Sequence, residues 1–232
     1  MTSENVSAIS AVASELEAVL SNVFGSQISL VVGTSFDGRV QVVTRLNPEF
    51  PPSSRYFEIV LGGVRGTNSR FQLVLRVGMT LMMSDSLEPR IESSMFALCI
   101  LREGARTPVP LVRVEYVRAM RKGPHCHIHI HASSPDWDLV TDPRSIRGER
   151  LSEIHIPLGS RHFRPSLEEF LYFLDAEGFY QSWAVEDLQS ALEPSLNRWY
   201  EIQTMGAARD HPRSAIEALE GLGYRVVVAG RP

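Results

Sequence analysis

The stretch Pro124-His125-Cys126-His127-Ile128-His129-Ile130-His131-Ala132 carries four of the seven histidines of the chain, and it limits the fold more than any other segment. Successive side chains of an extended strand leave the backbone on opposite faces, so His125, His127, His129 and His131 share one side and Cys126, Ile128, Ile130 and Ala132 the other. A helix would scatter these residues around its circumference. Strict alternation with β-branched isoleucines argues for the strand. The expectation is an apolar core face backed by an imidazole face.

A partner strand can be assigned with its register. Leu111-Val112-Arg113-Val114-Glu115-Tyr116-Val117-Arg118 also alternates, and it leads through residues 119–123 into the histidine strand. Directly opposed residues share a face, so apolar faces coincide when Tyr116 meets Cys126, Val114 meets Ile128 and Val112 meets Ile130. That register sets Glu115 opposite His127 and Arg113 opposite His129. Glu153-Ile154-His155-Ile156-Pro157 repeats the pattern, with Glu153 and His155 on one face, and is the natural second neighbour.

Elsewhere, Ile9, Val12, Leu16, Val19, Leu20 and Val23 form the stripe of an amphipathic helix over Ser7 to Phe24, with Gly25 closing it. Ile28 to Val32 and Val40 to Thr44 read as a hairpin around Asp37-Gly38. Tyr56 to Leu61 and Phe71 to Val77 are two further strands; the glycine loop between them lacks the ending of a phosphate-binding loop and reads as a plain connection. Met79, Met82 and Met83 read as core filler. Met95 to Leu101 is nearly continuous in apolar residues, the mark of a strand buried on both sides.

Asp136 to Glu149 reads as a long polar loop over the histidine face. Ser166-Leu167-Glu168-Glu169 is a capping box opening a helix with Leu167, Phe170, Leu171 and Leu174 on its core side. Helices follow over Trp183 to Leu192, Pro194 to Ala208 and Arg213 to Leu222, with His211 at a helix start. Tyr224 to Val228 reads as a final strand returning to the sheet. The expected architecture is α+β, an antiparallel sheet of about seven to nine strands with an N-terminal helix and a C-terminal helical portion. The division falls between a β-rich part, residues 1–165, and a helical part, residues 166–232, and one continuous domain accommodates both.

No run of uncharged apolar residues is long enough for a membrane span, and Met1 to Phe24 has glutamates and no basic residue, unlike a secretory or transit segment. A cytoplasmic protein is expected. Cys99 and Cys126 stand alone in apolar segments and read as reduced core thiols. The net charge of −4 hides an asymmetry: from Arg106 to Arg164 ten basic residues face six acidic ones, so the histidine region is the basic part of the chain.

Two segments carry a resemblance. The run His155-Ile156-Pro157-Leu158-Gly159, Arg161-His162-Phe163-Arg164-Pro165 and Leu167-Glu168-Glu169-Phe170-Leu171-Tyr172-Phe173-Leu174, with the closing Leu219 to Val228, resembles a group of uncharacterised actinobacterial proteins. Some of these are encoded near helix-turn-helix regulators, which implies a toxin–antitoxin or defence context. The histidine-rich hairpin also resembles the histidine clusters of small bacterial toxins for which RNA is the proposed target. The resemblance covers the C-terminal half and transfers no catalytic residue.

Three chemistries fit the histidine face. Histidines at i and i+2 of a strand stand about 6 to 7 Å apart at Cβ, within reach of one ion. A divalent metal, zinc or manganese, would take His127 and His129 with His155, Glu115 or Glu153 as third ligand, and an open position would activate water. Metal-free cleavage of a phosphodiester would use one of His127, His129 and His155 as general acid, a glutamate such as Glu115 or a second histidine as general base, and Arg113, Arg118, Arg161 and Arg164 as phosphate clamp. The third reading is an interface with an acidic partner or a second copy. The leading expectation is a hydrolase of phosphodiester or nucleotide substrates with catalytic His127, His129, His155, Glu115, Arg113 and Arg161, as the toxin of a toxin–antitoxin pair. The rival is a non-catalytic interaction module, docking an antitoxin-like protein or its own copy.

Overall fold

The computed structural model describes residues 3–25, 28, 30–34, 40–44, 56–62, 71–84, 89–132, 156–158, 163–180 and 186–227. These residues form an α+β structure in which all strand pairings are antiparallel. Helix α1 (Ser3–Phe24) is followed by β1 (Leu30–Thr34), β2 (Val40–Thr44), β3 (Phe57–Gly62), β4 (Phe71–Met83), β5 (Pro89–Arg102), β6 (Val109–Val117), β7 (Cys126–Ile130) and the two-residue β8 (Ile156–Pro157). Three helices close the described chain: α2 (Leu167–Ala176), α3 (Leu188–Asp210) and α4 (Pro212–Gly221).

The eight strands join in one sheet, ordered β1-β2-β4-β5-β6-β7-β8. The long strands β4 and β5 form its spine. One edge of β4 is long enough for two partners end to end: β3 pairs with Leu73 to Val77, and β2 with Met79 to Leu81. On β5, Met95, Phe96, Ala97, Leu98 and Cys99 are all buried, so both faces of the sheet are covered at its centre. This is the continuous apolar run expected of a central strand.

The two faces differ. One packs under the helices, where Ile9, Leu16 and Leu20 of α1 and Phe170, Leu171 and Leu174 of α2 share a single apolar cluster with Phe57, Leu75, Phe96, Leu98, Tyr116 and Cys126. Helix α1 ends at Gly25 in the left-handed region (φ 62°), whose N–H bonds Ser21 O at 3.0 Å. The capping box forms as read: Ser166 Oγ accepts from Glu169 N, and Glu169 accepts from Ser166 N. The Tyr180 hydroxyl donates to Val23 O at 3.1 Å, linking the segment after α2 to the end of α1. The other face holds a smaller cluster of Val74, Met95, Ala97 and Cys99. Both cysteines are buried free thiols, and burial is the main cause that pushes each up to about 11.

The helical part departs from expectation in two places. Instead of separate helices ending and restarting near Pro194, α3 runs through that proline without a break. A proline inside a helix removes a backbone bond and crowds the preceding turn. Packing carries the helix past it, since Leu192 and Gln203 on either side are buried. The final strand expected at Tyr224 to Val228 is not formed over its described residues, 224–227. Gly223 (φ 89°) turns the chain after α4, Tyr224 N bonds back to Leu219 O, and Tyr224 and Val227 stay 65% and 76% exposed. Helix α4 buries no residue, so nothing returns this segment to the sheet. No described helix is long and apolar enough to cross a membrane.

Candidate metal centre

The β6–β7 register is the one that apolar matching requires: Tyr116 opposes Cys126, Glu115 opposes His127, Val114 opposes Ile128, Arg113 opposes His129 and Val112 opposes Ile130. β8 adds to the far edge of β7, pairing Pro157 with His127 and Ile156 with Ile128. On the face away from the helices, opposed positions line up across the sheet. One row runs Glu58, Arg76, Ala97, Arg113, His129 from β3 to β7, and the next runs Gly78, Met95, Glu115, His127 from β4 to β7.

Charge along these rows is matched locally. Arg76 pairs with Glu58 at 2.6 Å and donates to Pro108 O at 3.2 Å. Arg113 Nε lies 2.8 Å from Glu115 Oε1. The second oxygen, Oε2, stands 3.3 Å from His127 Nε2 and 3.6 Å from His129 Nε2. The two imidazoles meet edge to face with centroids 4.9 Å apart. One ligand atom from each of Glu115, His127 and His129 therefore falls within 4.8 Å of the other two.

The backbone selects the tautomer of His127. Its Nδ1 is 3.1 Å from Pro124 O, an atom that can only accept, so Nδ1 carries the proton. In the neutral ring Nε2 is then a bare lone pair aimed at a carboxylate. Two lone pairs repel unless a positive charge stands between them or a second proton makes the ring an imidazolium. A ring N–H held by a backbone carbonyl, with the other nitrogen facing outward, is the arrangement by which histidines are oriented as metal ligands.

Two of the three separations suit an ion. Bonds of about 2.0 to 2.1 Å put neighbouring ligands of a tetrahedral zinc roughly 3.3 to 3.4 Å apart. The two carboxylate–imidazole distances, 3.3 and 3.6 Å, bracket that edge closely enough for small side-chain movements to close it. Two nitrogens and one carboxylate oxygen are a donor set that zinc and manganese both accept.

Burial overturns part of the sequence reading. His127 and His129 are only 1% and 3% exposed, whereas Ile130 on the supposed core face is 37% exposed. Imidazoles tolerate burial when their nitrogens are paired, and for His127 Pro124 O and Glu115 supply that pairing. Ile130 is the last residue of its strand, beyond the cover of the helices. The site reaches solvent on its acid side, since the side chains of Arg113 and Glu115 are 29% and 26% exposed.

Of the other residues assigned to the histidine face, His125 turns its Nδ1 to Val117 O at 3.1 Å. His131 lies beyond the end of β7, where burial first and Arg113 second hold it below the usual imidazole range. Arg118 is committed to Ile91 O at 3.0 Å and to Glu92 at 3.6 Å. Arg164 is on the wrong face for a clamp with Arg113, because its guanidinium lies over the ring of Tyr116, beneath the helices. Its placement follows from chain order, since it immediately precedes the capped α2. His155, Glu153, Arg161 and His162 lie outside the described residues. The Glu58–Arg76 pair and the Pro124 carbonyl escaped sequence reasoning. Proline just before the alternating run was the one available signal for the latter.

Comparison with protein-family models, with curated proteins and with solved structures gives no match to this chain.

Proposed function

We propose that Glu115, His127 and His129 hold a divalent ion, zinc before manganese, and that the chain is a metal-dependent hydrolase of phosphodiester or nucleotide substrates. The observation that carries this reading is one carboxylate oxygen facing two imidazole Nε2 atoms while its sister oxygen is tethered by Arg113 and His127 is oriented by Pro124 O. A divalent ion with a vacant position supplies Lewis acidity and a water of lowered pKa. The residues of the chain do the rest. His127 and His129 enter as neutral ligands from the dry side, and Glu115 offsets charge from the wet side. Arg113, on that side, is placed to receive an anionic substrate. Expression of a toxic activity countered by a partner protein fits the same chemistry.

The test is elemental analysis of untagged protein, followed by hydrolysis assays on bis(p-nitrophenyl) phosphate and on nucleotides before and after chelation. Stoichiometric metal with chelator-sensitive turnover supports the reading. Protein that takes up no zinc or manganese on titration, with no turnover, rejects it. The rival, an interaction module docking through the imidazoles, has little to offer a partner, because His127 and His129 are already covered within a single chain.

A further inference from the structure

On the opposite face of the sheet a second group of polar atoms is left over. Arg164 is 9% exposed, and its guanidinium lies 4.6 Å from the Tyr116 ring centroid on β6 and 4.5 Å from that of Trp199 on α3. Both rings lie within cation–π distance of the guanidinium carbon. A ring face answers the charge but accepts few of the five N–H donors, which need further partners. Among the described residues Arg164 makes no ion pair; the Tyr116 hydroxyl lies against its guanidinium as the one neutral side-chain partner, and the buried Arg164 Nε and Trp199 Nε1 find no acceptor. The nearby carboxylates are engaged elsewhere. Glu169 accepts from Ser166 N and the Tyr200 hydroxyl, and Glu168 accepts from the Ser195 hydroxyl. Gln203 is taken by the Arg164 backbone N–H at 2.9 Å.

A buried cation with no counter-charge among the described residues, beside an unmet indole N–H, is costly, and a native fold retains such a group when something satisfies it. Water could meet single donors but not the charge. An anion meets both at once, lying in the guanidinium plane and accepting from the indole N–H and the phenol. Arg118, facing the same region, adds positive potential, and burial first of all draws the Arg164 guanidinium down to about 10. A bound negative charge would reverse that pull.

We infer that the Arg164 edge, the Tyr116 hydroxyl and the Trp199 indole N–H form a second ligand site, for a small oxyanion such as a phosphate or carboxylate group. It is separated from the candidate metal centre by the sheet, since Tyr116 and Glu115 leave adjacent positions of β6 on opposite faces.

The experiment is calorimetric titration of the full-length, chelator-treated protein with sodium phosphate, sulfate and acetate at constant ionic strength, with chloride as reference. Saturable binding of at least one oxyanion is expected, and the preferred one tells phosphate from carboxylate. Tyr116→Phe and Trp199→Phe should each weaken it roughly tenfold, the value of one hydrogen bond to a charged group. Arg164→Lys, which keeps the charge and loses the fork, should weaken it further, while His127→Ala with His129→Ala leaves it unchanged. Chloride-like behaviour of all three oxyanions in the wild type overturns the inference. So does binding that vanishes in the histidine variants yet survives in the aromatic ones. Because Tyr116→Phe deletes a single oxygen and keeps the ring, a misfolded Arg164 variant would not spoil the result.

Discussion

Glu115 and His127 are direct partners across the β6–β7 ladder, and their side chains meet at 3.3 Å between Oε2 and Nε2. Antiparallel pairing thus does what a helical ligand motif does elsewhere: it delivers a carboxylate and an imidazole from different strands to one point. Stepping two residues along β7 brings His129 to the same oxygen at 3.6 Å. Three ligands then need only two strands.

Removing a ligand should remove the ion. Glu115→Gln and His127→Ala are expected to lower zinc affinity by at least about a hundredfold, more than the loss typical of an outer-shell partner. Competition against a chelating dye gives the affinity, and circular dichroism confirms that the fold is retained. For the wild type, zinc at about one hundred times its dissociation constant should add roughly 2.7 kcal/mol to unfolding stability. Equal zinc affinity in wild type and variants would dismiss the site.

Arg113 touches no proposed ion and acts through Glu115. Replacing it with Met should cost roughly 10- to 100-fold in metal affinity by freeing the carboxylate to rotate. Arg113→Lys should recover part of this. A purely structural role predicts lower melting temperature with unaltered affinity, which the same dye competition would reveal.

The buried thiol of Cys99, pushed up to about 11 by burial, links stability to alkaline pH. In the folded state the thiol holds its proton to higher pH than in the unfolded chain. Its contribution is therefore complete below about pH 9 and is lost as pH rises toward 11. Urea unfolding at pH 8 and pH 10 should show the decline, and Cys99→Ala should reduce its slope. Identical slopes in the two proteins would refute this assignment. Native protein should also react with thiol reagents far more slowly than unfolded protein.

Ala97 is fully buried and lies between Arg76 and Arg113 in the cross-strand row. Its small side chain leaves room for the two arginines to lie across the sheet. Ala97→Leu should cost about 1 to 3 kcal/mol by overpacking, and it should weaken metal binding by pushing Arg113 off Glu115. Thermal melts and zinc titration of the same variant test both halves.

Pro194 sits exposed in the interior of α3. Pro194→Ala should recover the roughly 3 kcal/mol that an interior proline costs through its missing N–H and ring crowding, and give back about 1 kcal/mol to unfolded-chain entropy, a net gain near 2 kcal/mol. A loss of stability instead would mean that the helix depends on the proline.

The legible part of the fold is the part governed by short periods. Alternation alone sets the β6–β7 register at all five pairs, because a slip of one residue would send Glu115 and Arg113 into the helix-covered core. The capping box at Ser166 and Glu169 is equally local, needing only two side chains and the first helical turn. Pro194 and the Tyr224 to Val227 tail misled for one reason. Whether a helix survives a proline, or an apolar tail finds a sheet edge, depends on packing that residue order alone does not encode.

Sequence alone determined which residues share a face of the sheet, since a strand's two-residue period and the demand that apolar sides coincide leave one solution for Glu115, Arg113, His127 and His129. Tertiary structure decided how deeply each face is buried, which of the four imidazoles converge on Glu115, and on which side of the sheet Arg164 lies. Those outcomes arise from contacts between segments far apart in the chain, where the energy of covering and pairing a group outweighs its local preference.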